Sequence, residues 1–458
     1  MVRNKLLRSK KPGSVMALVL FAVILLLLSG MGVLSLGQNT RIFSIRTAAE
    51  IVARSAADDG ITKALWQLNF DIENDSFNPN ALPYENDMEL PNCNGATYSY
   101  VIVKAISLYS STGLSGDQDL IDFVGWAFPV APTAGEYVVR SIGRYNGAEK
   151  IIYAIIRVRG CGDSCVIVRD TMELKAATTV DGRDSRDASV DGTAEVGTIS
   201  IEENKVTLFP GSYIDGNVQV GVGGDPELVV KDQGATVTGM MYPLPEEPQF
   251  PYIYPPVASV SPPFAYYDTP ISIKKKDDPN LYFYTNMSGR YTQIDLDNNN
   301  RTEKLIIKSG NNVVLHLTSI GTGAAKASIA LGVGCEIIIE DGATLNLYVD
   351  GDILSGNSSG FNNLGTPPQL KIWGTWTETT RSDDYCQQWD LRAKSDYFGQ
   401  VYAPAANMTV NNRGTIYGSF TAYEFTMMNG GYLYYDAALR DVKTSDEGAH
   451  FVLKRWYE

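Results

Sequence analysis

The segment from Ser14 to Leu36 holds no charged residue over 23 positions. A helix of about 20 such residues crosses a bilayer, because in lipid the backbone must satisfy its own hydrogen bonds. Five basic and no acidic residues precede it (Arg3, Lys5, Arg8, Lys10 and Lys11), and the next basic residue is Arg41. The positive-inside rule then keeps residues 1–13 cytoplasmic and places the rest beyond the membrane. A cleaved signal peptide competes, since Met16 to Leu28 has the length of its apolar core. However, the run ends in "SGMG" rather than an Ala-x-Ala-like cleavage site, and no lipid-bearing cysteine follows.

Helical character continues past the membrane face. In "RIFSIRTAAEIVARSAADDGITKALWQLN" (41–69), Ile45, Ala49, Val52 and Ala56 fall three or four apart, and Ile61, Leu65 and Leu68 resume the stripe after Gly60. The spacing predicts one helix over 14–69, apolar in its first half and amphipathic in its second.

The net charge is −14 although the first 13 residues are basic, so the body is strongly acidic. Such a surface repels phosphate backbones, and nucleic acid is excluded as a partner. Two histidines in 458 residues leave little for histidine catalysis or zinc binding. No cofactor and no metal centre are expected, and an enzyme is not.

The run "KKPGSVMALVLFAVILLLLSGMGVLSLGQNTR", with Ala57-Asp58-Asp59-Gly60-Ile61, Ala64, Leu65 and Leu68 after it, resembles the N-terminus of PilX-type pilus-assembly (minor pilin-like) proteins. The resemblance implies a membrane helix that packs beside other pilin-like subunits or pilus and secretion assembly proteins in the bacterial envelope. It also implies cleavage by prepilin peptidase after Gly13, leaving Ser14 first. The fifth residue after Gly13 is Leu18, where major pilins carry a glutamate that helps a subunit enter the filament. That departure counts against bulk polymerisation and leaves a tip or priming role open.

Residues 70–96, rich in Asn, Asp and Pro, read as a loop. Three apolar, β-branched runs follow, 97–107, 135–145 and 149–159, the last two joined by Asn146-Gly147, a strong hairpin signal. They predict a small antiparallel α+β head over 70–160. Beyond it the texture changes to short apolar stretches broken by Gly, Asn and Asp, with a loose Gly-x-apolar repeat at Gly216, Gly239, Gly351, Gly399, Gly418 and Gly431. In "ATLNLYVDGDI", Leu345, Leu347, Val349 and Ile353 alternate with Thr344, Asn346, Tyr348 and Asp350. Imperfect repetition of short strands predicts a β-solenoid, with a β-sandwich as the alternative. Its two parts are 161–242 and 281–440. Between them 243–280 is proline-rich and reads as an extended strap or linker, because proline cannot donate to a central strand. Residues 441–458 read as a charged tail. "VDGRDSRDAS", "PGSYIDGNVQVGVGGDPE", "LNLYVDGDILSGNSSGFNN", "FGQVYAPAANMTVNNRGTIYGSF" and "YYDAAL" resemble a recurring region found behind PilX-like N-termini.

Candidate chemistry is sparse. "GNSSG" (356–360) fits a nucleophile elbow but sits in a polar loop, with His316 in a strand and His450 in the tail. Asp350 and Asp352 lie two apart and, on one strand, would share a face at a spacing that suits a glycosidase pair; "DGD" equally reads as an ordinary solvated turn, as does Asp383-Asp384. A membrane-tethered protein that binds or acts on surface polysaccharide is therefore the alternative function. Asp181, Asp184, Asp187 and Asp191, and Asp295, Asp297, Asn299 and Glu303, offer oxygens for calcium without the spacing of an EF-hand. Of Cys93, Cys161, Cys165, Cys335 and Cys386, the pair Cys161 and Cys165 is near enough for a local disulfide in an exported body.

Overall fold

A computed structural model describes residues 13–74, 76–91, 93, 95–105, 118–127, 136–160, 162–183, 191–245, 247–248, 250–256, 264–273, 279–296, 302–320, 327–362, 365–375, 387–393, 396–412, 415–440 and 449–458. Helix α1 is continuous over Gly13–Glu73, 61 residues, or about 90 Å at 1.5 Å per residue. Among the described residues it alone is long and apolar enough to cross a membrane.

The chain divides into two compact units, residues 1–157 with 451–458, and residues 158–450. In the first, α1 lies on a five-stranded sheet. Its strands are β1 (Tyr84–Glu89), β2 (Thr97–Lys104), β3 (Glu136–Tyr145), β4 (Ala148–Arg159) and a closing strand, His450–Tyr457, in that spatial order. β1 to β4 pair antiparallel, and Asn146 and Gly147 both take positive φ (47° and 80°) in the β3–β4 turn, as a two-residue hairpin requires. The far face of the sheet is covered by a helix over Gln118–Ala127, whose Leu120, Phe123 and Val124 pack on Val138 and Ile155.

Three expectations are corrected here. The 70–96 stretch is not all loop, since it contains β1. The buried stripe of α1 is Ala49, Ala53, Ala56, Ala57, Ile61, Ala64 and Leu68, whereas Ile45 is 56% exposed and Val52 and Leu65 are half-buried. Small side chains let the helix sit close to the strands. Gly60 interrupts nothing, because a β-carbon there would stand 2.1 Å from the Ser141 hydroxyl. Finally, residues 450–457 are a sheet strand rather than a tail. The Phe451 amide donates to Asn69 Oδ1 (2.6 Å) and the Asn69 amide returns to the Phe451 carbonyl (3.1 Å). Lys454 pairs with the buried Glu136.

In the second unit the strands pair in parallel, most of them with one made about 20 to 35 residues earlier or later; the short pair Thr179–Arg183 and Asp191–Gly192 is antiparallel. One inward ladder runs Ile271, Ile294, Ile329, Ile353, Trp389, Met408, Phe425, Met172, Val206, Val230, each residue opposite the next, and all are buried. The spatial order is therefore not the chain order. Residues 166–183 stack on 415–436, so the first-made strands lie beside the last. Leu345, Leu347, Val349 and Ile353 face inward as the alternation requires. The Gly-x-apolar repeat has a steric cause at Gly418, where a β-carbon would meet the Gly399 carbonyl oxygen at 1.8 Å.

Because the stack is out of order, the chain must travel from the strand Met241–Pro243 to Ala265–Tyr266 at the opposite end. An outward row, Tyr266, Arg290, His316, Tyr348, Trp373, Tyr402, Thr421, Ile167, Gly197, Gln219 and Tyr242, joins those two strands. Its ten steps at about 4.8 Å make about 48 Å. The proline-rich segment crosses this face. Phe250 and Ile253 pack on Tyr348, Trp373 and Tyr402, and the Tyr402 hydroxyl donates to the Pro251 carbonyl at 2.8 Å. A chain crossing strands at an angle has no ladder partners, so the absent proline N–H costs nothing there. The proline-rich region is shorter as a strap than 243–280, for Ala265–Tyr266 and Ile271–Ser272 already belong to the stack.

Candidate functional site

Helix α1 carries two surfaces of opposite character. One is the buried small-residue stripe. The other is apolar and bare, with Phe21, Leu26, Met31 and Val33 each more than 60% exposed and, further along, Phe43, Ile51 and Trp66 more than half exposed. Gly13 and Ser14, the expected processing residues, are the first two of the helix; their side chains lie outside the described residues.

The second surface of interest is the strapped face. Between the strap and the outer strands lies a groove of about 430 Å³, lined by Arg169, Glu247, Phe250, Tyr252, Tyr402 and Pro404 among others. The Arg169 guanidinium stands 5.9 Å from the centre of the Phe250 ring. The neighbouring carboxylate, Asp170, is engaged by Lys205 at 2.5 Å, which leaves Arg169 with no ion pair among the described residues. Burial, with the negative charge of Asp350 second, pushes the Tyr252 phenol up.

The residues weighed for chemistry are dispersed. His316 Nε2 lies 2.9 and 3.0 Å from the two oxygens of Asp350 on the next rung, and Thr375 donates its hydroxyl to the same carboxylate. Asp352, 2% exposed, instead accepts from the Gln388 amide at 2.8 Å. The two aspartates sit in the turn between Thr344–Val349 and Ile353–Ser355, not on one strand, and each holds a different part of the stack. In "GNSSG" the turn leads into a strand, Gly360–Phe361, not a helix. Ser358 has φ 67°, and the buried Ser359 hydroxyl is taken by the carbonyls of Gly356 and Arg392.

Cys161, Cys386, Asp383, Asp384, Asp184, Asp187, Asp297 and Asn299 lie outside the described residues. Asp181 accepts its neighbour's amide, Gly182 N–H, at 2.7 Å. Among the described residues no group of three or more His, Cys, Asp or Glu side chains is placed to hold a metal ion. Sequence reasoning missed Arg169, Trp373 and Tyr402. The outward aromatics of "LKIWG" and "GQVYA" could have been found by continuing the alternation argument, but Arg169 lies in a bend with no periodic signal.

Residues 285–442, less than half of the chain, match a family model described as "Domain of unknown function (DUF7305)". No curated protein matches the sequence. Among solved structures, the competence-associated pilin ComZ from Thermus thermophilus aligns over 90% of this chain and 97% of its own, at 10% identity and a TM-score of 0.21. An ice-binding protein domain from Shewanella frigidimarina (DUF3494) aligns over 60% of this chain and 94% of its own, at 10% identity and a TM-score of 0.21. At those scores neither likeness bears on what this chain folds into or does.

Proposed function

We propose that this chain is a membrane-anchored, PilX-like minor pilin or pilus-assembly protein of the bacterial envelope. In this role it displays an acidic β-solenoid as an interaction surface and has no catalytic activity of its own. The observation that carries the proposal is the division of α1. Its first half is apolar and uncovered, as a lipid-spanning helix must be, and its second half is docked through alanines and Gly60 on an antiparallel sheet. The basic residues ahead of Ser14 keep the short N-terminus cytoplasmic and the body outside. Other pilin-like helices would cover Ile51 and Trp66, and prepilin peptidase would cut after Gly13. The parallel rungs support a solenoid over a sandwich, whose sheets are antiparallel.

The deciding experiment is mass spectrometry of the first residue of the protein extracted from native membranes. Ser14, N-methylated, is the expected terminus. Intact Met1 would overturn prepilin processing and reduce α1 to a plain anchor. Co-purification with pilus or type II secretion components separates an assembly subunit from an isolated scaffold. A second reading, a tethered carbohydrate-binding solenoid, is favoured by the groove beneath the strap.

A further inference from the structure

We propose that the groove between the strap and the outer strands binds a sugar acid, a hexuronate unit of an oligosaccharide, with Arg169 as the residue that recognises its carboxylate. The proposal rests on reading the body as a displayed interaction surface and names what that surface takes.

Four features of the groove define this ligand. The first is the cation. Arg169 borders the cavity, and with Asp170 held by Lys205 its guanidinium lies over the Phe250 ring and acts on the Tyr423 phenol, with no ion pair among the described residues. A planar fork of donors without a carboxylate partner is matched to one incoming carboxylate, which it holds through two parallel hydrogen bonds. The second is the wall. Phe250 and Tyr252 give flat apolar surface for the C–H face of a pyranose ring, and the Tyr252 ring, 41% exposed, is open to it, while Tyr402, 2% exposed, backs the wall from behind. The third is Glu247, an exposed carboxylate at the rim. It accepts hydrogen bonds from sugar hydroxyls, and it repels a doubly charged phosphate more than a singly charged acid. On a chain of net charge −14 that distinction is general as well as local. The fourth is size. About 430 Å³ falls in the range of small-ligand clefts and suits one or two sugar rings rather than a folded partner.

The strap is what makes the site. Without Phe250 and Tyr252 the outer face at Arg169 would be an open surface, and the Tyr402 hydroxyl bond to the Pro251 carbonyl fixes the wall before any ligand arrives. A pre-formed wall lowers the ordering cost of binding.

Calorimetry on the full chain in detergent micelles tests this, with digalacturonate, cellobiose and inorganic phosphate as probes. Digalacturonate is expected to bind and to weaken as salt is raised, with cellobiose at least tenfold weaker. Arg169→Gln should weaken digalacturonate at least tenfold, Arg169→Lys less so, since a point charge keeps the attraction and loses the fork. Circular dichroism of each variant reports whether it is folded, and the salt dependence of the unaltered protein gives an answer even if a variant is not. Equal binding of cellobiose and digalacturonate, phosphate binding that displaces digalacturonate, an unchanged affinity in folded Arg169→Gln, or no digalacturonate binding would each overturn the proposal. A negative result here leaves the N-terminal residue, and with it the assembly role, unaffected.

Discussion

Gly143 of β3 lies directly against the main chain of α1, and a β-carbon on it would stand 1.9 Å from the Ala53 carbonyl oxygen and 2.5 Å from the Ala57 nitrogen. Helix and sheet are packed backbone to backbone at this point. Gly143→Ala must push them apart or bend one of them, at about 1–3 kcal/mol. Thermal unfolding of the full chain in detergent should show the loss. Gly125→Ala is the control, because that helical glycine faces open space and alanine there should add about 0.5–1 kcal/mol.

Lys454 of the closing strand pairs with Glu136, whose side chain is 7% exposed. Lys454→Met removes the cation and leaves the carboxylate in place. A loss of about 1–3 kcal/mol is expected, with faster hydrogen exchange along β4. The double variant with Glu136→Gln should recover part of it, since the buried charge that lost the ammonium is then removed. Recovery would be seen as a raised midpoint relative to Lys454→Met alone.

Tyr98 packs beneath α1, and burial, followed by the charge and hydrogen bond of Glu85, pushes its phenol up from 10.0 to about 12. A folded-state pKa above the unfolded one means the native state holds its proton more tightly. The stabilisation is complete below pH 10 and is lost as pH rises from 10 towards 12. Tyr98→Phe should therefore flatten the fall in stability over that window, and ultraviolet titration of the native protein should show one late phenol fewer.

The Tyr402 hydroxyl ties the strap to the stack through the Pro251 carbonyl. Tyr402→Phe keeps the ring and removes the bond, at about 0.5–1.5 kcal/mol. The effect should be local. Hydrogen exchange and proteolytic nicking are expected to rise within residues 244–256 while global unfolding moves little.

Local chemistry was legible in the sequence, and long-range pairing was not. The charge-free run set α1, Asn146-Gly147 set the β3–β4 hairpin, and alternation around Leu345 and Leu347 set which side chains face inward. Proline content marked the strap at Phe250 and Ile253 but ran it too far, since Ala265–Tyr266 and Ile271–Ser272 pair in the stack. Periodicity misplaced the helix stripe because large apolar residues weigh more than alanine, yet close packing on Gly143 and Ser141 selects Ala53, Ala57 and Ala64. The pairing of Phe425 with Met172, and of the closing strand with the β1–β4 sheet, joins residues more than 250 positions apart. No short window of sequence contains that information. Asp350 and Asp352 look alike in "DGD", and only the fold assigns one to His316 and the other to Gln388.

The strand His450–Tyr457 lies beside β4, which ends about 290 residues earlier. At the pace of synthesis, roughly 5–20 residues per second, the edge of β4 waits on the order of 15–60 s for its neighbour. An uncovered strand edge is an invitation to foreign chains, so the delay has to be spent where few are present or under guard. The same wait makes the first unit a record of completion. A chain that stalls in the body lacks the Phe451 and Lys454 contacts to Asn69 and Glu136, so the head gains its fifth strand only after the body has been made.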